Sequence, residues 1–566
     1  MLLALYKPNQ SQMFIAKILR ALGFKLYEWE ANAVFLGGEI ITFPNSSQYV
    51  DIMEESRADL KSYFSEYFDS VHHEPADIYF RKKYDIQYLD YYSFRKVLNI
   101  TLQGNNEKCI ALGGGYNKKI FERKVGSFLD YLLFPLFLVY GYWTLMFYAL
   151  KAFVSTVLYK GDVSPGDVLY LRKKAYPDLG MKDKLCGYLQ QKNISCTGAI
   201  ALYASKPEKY GFNFLNGLKG ASGIVLENFF SELSEIASVI SVQKKNALFL
   251  NDIKGYIKNI FLARSEVATG SKVIVGVLVD KPIFVLLSHY KDRQQRIMAI
   301  NESFFYPPFR SFDYNMLDVY FSLNNLDAGL QNKYGGNIGQ IVPVEFVRKS
   351  LESTSEGLSD ELRELVERHE RVAVATAMQI SEVGFTQWGR DEVNRFVSGV
   401  IELALGNPSD LFILKGKKNE LSHLTDDVVN SLNEVDNIFT IHSTKPRFLK
   451  HDQFEDLLAI ADIVISMSHT STTIWQAVAE DIPVIAINDA HSPSFLSEYD
   501  YVEVTSEKMI SSYVAWFSLD DEDRRAKVRS LSRRVNLGES RGLVQIADFI
   551  VDSLGEYSGS GAGKKD

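Results

Sequence analysis

The stretch Ala461 to Asp489 reads ADIVISMSHTSTTIWQAVAEDIPVIAIND, and it decides the fold. Its two apolar runs, Ile463 to Met467 and Pro483 to Ile487, are typical of parallel strands that are buried on both faces of a sheet. The residues between these runs predict a polar turn and a short helix. Strand, helix and strand in this order form the crossover unit of an α/β fold.

The predicted turn is crowded with hydroxyl side chains. These are Ser468, Thr470, Ser471, Thr472 and Thr473, and His469 lies among them. The free N–H groups at the start of a helix bind phosphate well, and ligands of open α/β sheets bind outside the carboxyl ends of the strands. One or two of the hydroxyls would serve as helix caps. Because one cap needs fewer, the sequence predicts a phosphate-containing ligand at this turn.

The segment QAVAEDIPVI, Gln476 to Ile485, resembles a motif in the C-terminal domain of nucleotide-sugar glycosyltransferases with the GT-B fold. In that family a glutamate of the motif binds the donor ribose, and a glycine lets the chain turn into the last strands. Here Gln476 takes the place of the glutamate and Asp481 that of the glycine. The resemblance implies that Gln476, which carries no charge, hydrogen-bonds a ribose hydroxyl.

The resemblance also bears on the type of transferase. Many retaining members carry a second acidic residue eight positions before the glutamate, and Ser468 occupies that position here. The hydroxyl cluster is more similar to bacterial surface-polysaccharide transferases, including those that use CMP-activated acidic sugars or CDP-polyols, although their common His-Pro pair is absent. No Asp-x-Asp metal motif lies near the predicted strands. We therefore expect an inverting reaction that requires no metal cofactor.

Length and composition are compatible with this reading. A chain of 566 residues is expected to form more than one domain, because single cores stop growing at about 250–300 residues. The net charge of −8 argues against nucleic acid as a general partner. The cysteines Cys109, Cys186 and Cys196 are far from C-x-x-C spacing, so we expect neither a disulfide framework nor a structural zinc site. This predicts a reducing cytoplasmic compartment.

Alternating strand and helix patterns predict an α/β protein with two Rossmann-like domains that face a cleft, as in GT-B enzymes. The first domain includes predicted strands at Val273 to Val279 and Ile283 to Leu287, and Asp318 to Val344 predicts a strand, a helix and a strand. The predicted boundaries are 1–120 for an N-terminal elaboration of unknown role, 121–162 for an apolar membrane-associating segment, 163–345 for the acceptor domain, 346–370 for a linker helix, 371–555 for the donor domain and 556–566 for a flexible tail.

The run Tyr131 to Leu150 contains no charged residue in twenty positions. Its length meets the threshold for a spanning helix, about 20 residues. Pro135 and Gly141 would bend it, and its tyrosines and tryptophan suit a membrane interface. We interpret it as an in-plane or re-entrant anchor at the cytoplasmic face of a membrane, with a buried helical hairpin as the alternative.

Three residues of the first domain are candidates for the acceptor side. His289 is the leading general base, because it follows the predicted strand Ile283 to Leu287 and histidine titrates near neutrality. The alternative is a hydrogen-bonded structural imidazole. Asp280 is the substitute base, and Arg310 would hold an anionic acceptor with its fork of donors.

The donor-side candidates lie at the ends of the predicted strands of the second domain and in the segments that follow them. Lys415 and Lys417 would face phosphate oxygens, although a solvated basic loop explains either one equally well. Gln379 and Ser381 would reach the leaving phosphate, and His442 and Ser443 would recognise the nucleobase. The predicted ribose residue is Gln476, and the residues of the hydroxyl turn are Ser468, His469, Thr470, Ser471 and Thr472.

These observations predict a glycosyltransferase that moves a sugar from a nucleotide-activated donor to a glycan or lipid-linked acceptor. Surface polysaccharide or glycolipid biosynthesis is the expected setting. The alternatives are a polyol-phosphate transferase or a nucleotide-sugar epimerase on the same fold, or a noncatalytic scaffold. Epimerisation fits less well, because it would need several carboxylates in the cleft and no membrane segment.

Overall fold

The structure is a computed structural model. It describes residues 2–6, 10–28, 39–40, 51–52, 54–62, 78–81, 96, 98–99, 109–113, 135, 139–140, 142–144, 146–147, 150, 166–172, 181–200, 255–256, 259–260, 263, 267, 270–277, 283–301, 312–323, 325–345, 358–377, 390–416, 424–441, 454–467, 471–488, 496, 499, 501–535 and 542–559. These residues form three parallel sheets with helices packed on them.

The first sheet is small and was not predicted. Its strands β1 to β4 are Leu2–Tyr6, Lys25–Glu28, Glu39–Ile40 and Cys109–Gly113, in the order β3-β2-β1-β4, and every pair is parallel. Helix α1, Gln10–Ala21, connects β1 to β2. Gly23 ends it with a left-handed φ of 87°, which lets the chain reverse into β2. The helix and strands share a core of Leu3, Leu5, Ala16 and Leu26.

The second sheet has six parallel strands in the order β10-β9-β8-β7-β5-β6. Its strands β5 to β10 are Val168–Arg172, Cys196–Ile200, Val273–Val277, Arg296–Ile300, Phe312–Ser322 and Gly335–Pro343. The helices between them are α2 (Met181–Gln191), α3 (Ile283–Tyr290) and α4 (Asn325–Tyr334). The predicted strand, helix and strand of Asp318 to Val344 is confirmed as β9, α4 and β10.

The third sheet also has six parallel strands, in the order β13-β12-β11-β14-β15-β16. Its strands β11 to β16 are Arg371–Ala377, Asp410–Gly416, Ile438–Ile441, Ile463–Ser466, Val484–Ile487 and Glu503–Val504. The remaining helices α5 to α12 are Asp360–Arg368, Arg390–Gly406, Asp426–Asn433, Phe454–Leu458, Thr472–Ala479, Met509–Ser518, Asp521–Val535 and Gly542–Gly559. The crossover predicted from Ala461 to Asp489 is confirmed as β14, α9 and β15.

The last helix, α12, leaves the third sheet and packs on the second. Lys192 forms an ion pair with Asp548 of this helix, and the rings of Phe321 and Phe549 lie 5.4 Å apart. Two hydrogen bonds run from Arg296 Nη1 to Ser553 Oγ at 3.2 Å and from the Glu345 N–H to Gln545 Oε1 at 2.8 Å. The two large sheets are therefore connected both by the chain that contains α5 and by this returning helix.

An ion pair between a buried carboxylate and a half-buried guanidinium anchors the amino ends of β11 and β12. Asp410 is fully buried and accepts hydrogen bonds from Arg371 Nε at 2.8 Å and from the Tyr513 hydroxyl at 2.7 Å. The Arg371 guanidinium also lies 4.4 Å from the ring centre of Phe517. Burial, together with the bond to Asp410, raises the pKa of Tyr513. The cluster ties the sheet to helix α10.

The prediction of a strand at Ile283 to Leu287 is wrong, because this segment begins helix α3. The four residues Phe284 to Leu287 are all buried. A continuous apolar run of this length fits a buried helix as well as a buried strand, and periodicity cannot separate the two.

The expectation that the cysteines form no disulfide is also wrong, because Cys186 of α2 is bonded to Cys196 of β6. Their Cα atoms lie 5.2 Å apart. Asn193 reverses the chain between them with a left-handed φ of 61°, which lays the helix against the strand that follows it. Spacing rules for C-x-x-C motifs do not detect a pair that a helix, a turn and a strand bring together.

The described residues of the predicted membrane segment are helical and expose an apolar stripe. Its members Val139, Trp143, Met146, Phe147 and Leu150 are between 45% and 71% exposed. This exposure contradicts the alternative of a buried hairpin for these five side chains. Among the residues that the structure describes, no helix has the length and apolar character needed to cross a membrane.

Asp481 gives the chain the same turn that a glycine gives in the resembled motif. Its φ is 57°, in the left-handed region that glycine favours. The N–H of Asp481 bonds to the Val478 carbonyl at 3.1 Å, and the N–H of Ile482 bonds to the Ala477 carbonyl at 2.9 Å, which is a Schellman ending of α9. The departure from glycine therefore keeps the turn.

Two substitutions at this exposed position test the turn. Asp481→Gly is expected to raise the free energy of unfolding by about 0.5–1 kcal/mol, because glycine reaches positive φ without a steric cost. Asp481→Val is expected to lower it by about 1–2 kcal/mol, since a β-branched residue is strained there. Urea denaturation measures both. Equal stability of the two variants would contradict the left-handed assignment.

Candidate functional site

The site is built at the point where the third sheet reverses its strand order. The chain leaves β11 toward β12 on one side, and it leaves β14 toward β15 on the other. Since β11 and β14 are hydrogen-bonded neighbours, the two connections diverge and open a crevice above the carboxyl ends of these strands. Open α/β sheets bind their ligands at such a switch point.

A row of three polar residues crosses the sheet at this edge. Thr376 of β11 is the register partner of both Lys415 in β12 and Ser466 in β14. Register partners project from the same face of a sheet, so one ammonium and two hydroxyls are side by side. Ser466 and Thr376 are buried, and Lys415 is half-buried. We call these three residues the strand-end row.

Helix α9 begins beside the strand-end row and is connected to it by hydroxyl contacts. Ser471 caps the helix, and its Oγ accepts a hydrogen bond from the Thr473 N–H at 3.3 Å. The hydroxyls of Ser471 and Thr473 are 2.6 Å apart, and that of Thr473 lies 3.5 Å from the hydroxyl of Thr376. The first turn of α9 holds no acidic residue. The positive dipole end of the helix therefore suits an anion.

Gln476 lies one turn inside α9 and makes a contact within the protein. It is buried, and its Nε2 donates a hydrogen bond to Glu455 Oε1 of helix α8 at 3.0 Å. This bond ties α8 to α9 on one face of the sheet. A bond to the donor ribose would have to use the remaining amide oxygen, and this role stays a prediction.

Two predicted donor residues besides Gln476 and Lys415 are described, Ser471 at the cap of α9 and Thr472 in its first turn. The candidates that fall outside the described residues are Gln379, Ser381, Lys417, His442, Ser443, Ser468, His469 and Thr470. In the sequence these eight residues follow β11, β12, β13 or β14 directly, so the segments that contain them begin at the carboxyl edge of the third sheet.

The predicted position of His289 at a strand's carboxyl edge is wrong. His289 lies in the last turn of α3, is exposed, and stacks edge-on against Tyr290 with 4.9 Å between ring centres. Helix α3 starts after the carboxyl end of β7 and runs back to the amino end of β8. His289 is therefore at the edge of the second sheet opposite to the strand carboxyl ends.

Asp280 and Arg310 lie outside the described residues. Asp280 belongs to the segment 278–282, which follows β7. Since the chain leaves β5 toward β6 and leaves β7 toward β8, the carboxyl ends of β5 and β7 form the switch point of the second sheet. The segment that contains Asp280 thus begins where a ligand of this sheet would bind.

A buried carboxyl group that the sequence did not indicate lies near the carboxyl ends of β8 and β9. Asp327 Oδ2 accepts hydrogen bonds from Asn301 Nδ2 at 2.9 Å, the Leu323 N–H at 3.0 Å and the Tyr320 hydroxyl at 3.3 Å. Burial raises the pKa of Asp327, and these hydrogen bonds oppose the shift. These three contacts fix the ends of strands to helix α4, and a further bond from Gln331 Nε2 at 3.3 Å lies within that helix. An acidic residue in the first turn of a helix after a strand is the signal that would have pointed to it.

No metal centre is formed by the described residues, in which no three His, Cys, Asp or Glu side chains come together in a possible metal-binding group. The independence from metal that the sequence indicated stays a prediction. In the described part of the site, positive charge comes from Lys415 and the start of α9.

Comparisons with known proteins give one partial family match and several similar folds. Residues 440–529, which include β14, α9 and β15, match a family of unknown function (DUF6365). No curated protein matches the chain.

Solved structures of nucleotide-sugar enzymes are similar in fold. One is MnaA of S. aureus with UDP, at 10% identity over 69% of this chain and 96% of that chain, with a TM-score of 0.42. Another is UDP-GlcNAc 2-epimerase from Neisseria meningitidis bound to UDP-GlcNAc, at 12% identity over 69% of this chain and 99% of that chain, with a TM-score of 0.40. A third is Os79 from O. sativa in complex with UDP, at 12% identity over 68% of this chain and 100% of that chain, with a TM-score of 0.42. Similarity at these TM-scores does not indicate the activity of this chain.

Proposed function

We propose that the protein is a glycosyltransferase that moves a sugar from a nucleotide-activated donor to a glycan or lipid-linked acceptor. The observation that carries the proposal is the strand-end row, which adjoins the start of α9 at the switch point of the third sheet. Surface polysaccharide or glycolipid biosynthesis is the proposed setting.

The donor's phosphates fit this edge of the sheet for electrostatic reasons. Lys415 supplies a point charge, and the positive dipole end of α9 adds to it. Hydroxyls such as Thr376 and Thr473 add neutral donors that turn to suit the ligand. The same groups would stabilise the charge that develops on the leaving phosphate. This arrangement supports departure without a metal ion.

The base that takes the acceptor proton is proposed to come from the second sheet. Asp280 is now the leading candidate, because its segment follows β7 at that sheet's switch point, whereas His289 lies at the opposite edge. An inverting reaction needs one such base on the acceptor side. Arg310 would hold an anionic acceptor.

We also propose that the segment Tyr131 to Leu150 brings the enzyme to the cytoplasmic face of a membrane. The Cys186–Cys196 bond removes the argument from free cysteines, so this side is proposed from the nucleotide-activated donor alone. The exposed stripe from Val139 to Leu150 supports the membrane contact, because large apolar side chains on one helix face favour an interfacial position. A lipid-linked acceptor would be reached from there. Donor binding does not depend on this contact.

A nucleotide panel tests the donor site. Thermal unfolding is measured with CMP, CDP, UDP and GDP, since a ligand at 100 times its Kd adds about 2.7 kcal/mol to the stability of the folded protein. Lys415→Met is expected to raise the Kd of the stabilising nucleotide about 10–100-fold, the effect of losing a charge-assisted hydrogen bond of about 1.5–3 kcal/mol. Lys272→Met is the matched control, because Lys272 is exposed at the amino end of β7.

The outcomes separate the alternatives. If no nucleotide raises the unfolding temperature, the noncatalytic scaffold replaces the transferase. If Lys415→Met responds as the wild type does, the strand-end row is not the donor site. Conversion of a stabilising UDP-sugar to its 2-epimer without any acceptor would identify an epimerase.

A further inference from the structure

Helix α1 and the turn that follows it present apolar side chains to solvent. The inner face of the helix packs Met13, Ala16 and Leu19 against the first sheet. The opposite face exposes Phe14, Ile15, Ile18 and Leu22 by 65%, 44%, 46% and 69%. We call these four residues the α1 stripe.

The α1 stripe is a continuous surface. Positions 14, 15, 18 and 22 are separated by one, three and four residues, which places them on one side of an α-helix. A single exposed apolar residue is ordinary on a protein surface. Four large ones together, on the face of a twelve-residue helix that points away from its core, indicate an interaction surface.

The charge of the helix indicates the chemistry of the partner. Lys17 and Arg20 are both exposed, and α1 contains no acidic residue, although the whole chain has a net charge of −8. Lys17 lies beside the stripe, about 100° around the helix from Ile18, whereas Arg20 lies about 200° from Ile18, on the side of the inner face. An apolar face flanked by a basic side chain is the pattern of a helix that lies in a lipid interface. Basic groups of this kind are attracted by anionic lipid headgroups.

The size of the stripe argues against a second copy as the partner. A twelve-residue helix is about 18 Å long and about 10 Å wide, so one face covers about 200 Å². A stable protein interface buries about 800 Å² on each partner. Binding to a lipid surface requires no such minimum area from one helix, because several shallow contacts of the same chain contribute to the affinity together.

We propose that the α1 stripe lies flat on an anionic lipid surface, with Phe14 and Ile18 among the acyl chains and Lys17 at the phosphates. This goes beyond the proposed function, because neither donor binding nor sugar transfer requires it. It would give the chain a second lipid contact, in addition to the exposed stripe of Val139 to Leu150.

Vesicle sedimentation tests the proposal on the full chain. Binding is measured to vesicles of phosphatidylcholine alone and of phosphatidylcholine mixed with phosphatidylglycerol, at low and high salt. Phe14→Ser with Ile18→Ser is expected to lower binding to the mixed vesicles at least tenfold. Lys17→Glu is expected to remove the preference for phosphatidylglycerol. Circular dichroism confirms that each variant is folded.

The matched control is Leu405→Ser with Val514→Ser. These residues are 65% and 51% exposed on helices α6 and α10, and we expect wild-type binding from this variant. Trp143→Ser with Phe147→Ser measures the second stripe separately. If the Phe14 and Ile18 variant binds vesicles as tightly as the wild type does, the proposal is overturned. It is also overturned if light scattering shows that the wild type is a dimer and that this variant is a monomer.

Discussion

Replacing Asp280 by asparagine is expected to lower the rate of sugar transfer about 10²–10⁴-fold, which is the range for loss of a general base. Asparagine keeps the size and polarity of the side chain but cannot take the acceptor proton. Because the donor site belongs to the third sheet, the stabilisation by nucleotide should stay at the wild-type value. Transfer rates and thermal shifts measured on the same preparation give both quantities.

His289→Ala is the matched variant for this experiment. His289 is exposed at the amino edge of the second sheet, so its removal should leave kcat within about twofold of the wild type and stability within about 0.5 kcal/mol. A loss of transfer in His289→Ala with full activity in Asp280→Asn would reverse the two assignments. Loss of the nucleotide response in Asp280→Asn would show that this variant disturbs the fold or the donor site.

Replacing Asp410 by alanine is expected to lower the free energy of unfolding by about 3–5 kcal/mol, because it removes a charge-assisted hydrogen bond of about 1.5–3 kcal/mol and leaves a buried hydroxyl without its acceptor, which costs about 1–3 kcal/mol. Its carboxylate accepts hydrogen bonds from Arg371 and Tyr513. Without it, one positive charge and one buried hydroxyl lose their partner at the same time. Urea denaturation monitored by fluorescence measures the loss.

Two variants show whether the charge causes this effect. Glu364→Ala removes an exposed ion pair with Arg368 on α5 and should change stability by less than about 0.5 kcal/mol. Tyr513→Phe removes one of the hydrogen bonds that Asp410 accepts and leaves the ion pair in place, so its cost should be smaller, about 1–3 kcal/mol. A cost below 1 kcal/mol for Asp410→Ala would contradict the role of the cluster as an anchor.

The third sheet was the part of the fold that local sequence predicted best. Its strands are continuous apolar runs bounded by polar turns, and a parallel sheet covered on both faces requires that pattern. The first sheet escaped prediction because its pairing joins β1 to β4 across about a hundred residues. Helix α3 was missed because a short apolar run carries no period that separates helix from strand.

Of the three residues of the strand-end row, the sequence indicated one and missed two. Lys415 was recognised from its charge at the end of an apolar run. Thr376 and Ser466 look unremarkable in the sequence, and only the register of β11 with its two neighbours places them beside the lysine. Register between distant segments is set by tertiary packing, so a hydroxyl at a strand end acquires its neighbours only in the folded sheet.

The return of α12 to the second sheet has a mechanical consequence. The chain passes between the two large sheets twice, once before α5 and again before α12. Helix α4 of the second sheet also contacts α11, so more than the connecting chain holds the two sheets against each other. A chain shortened before Gly542 would lose the contacts of α12 and, with them, part of what limits movement of the third sheet against the second.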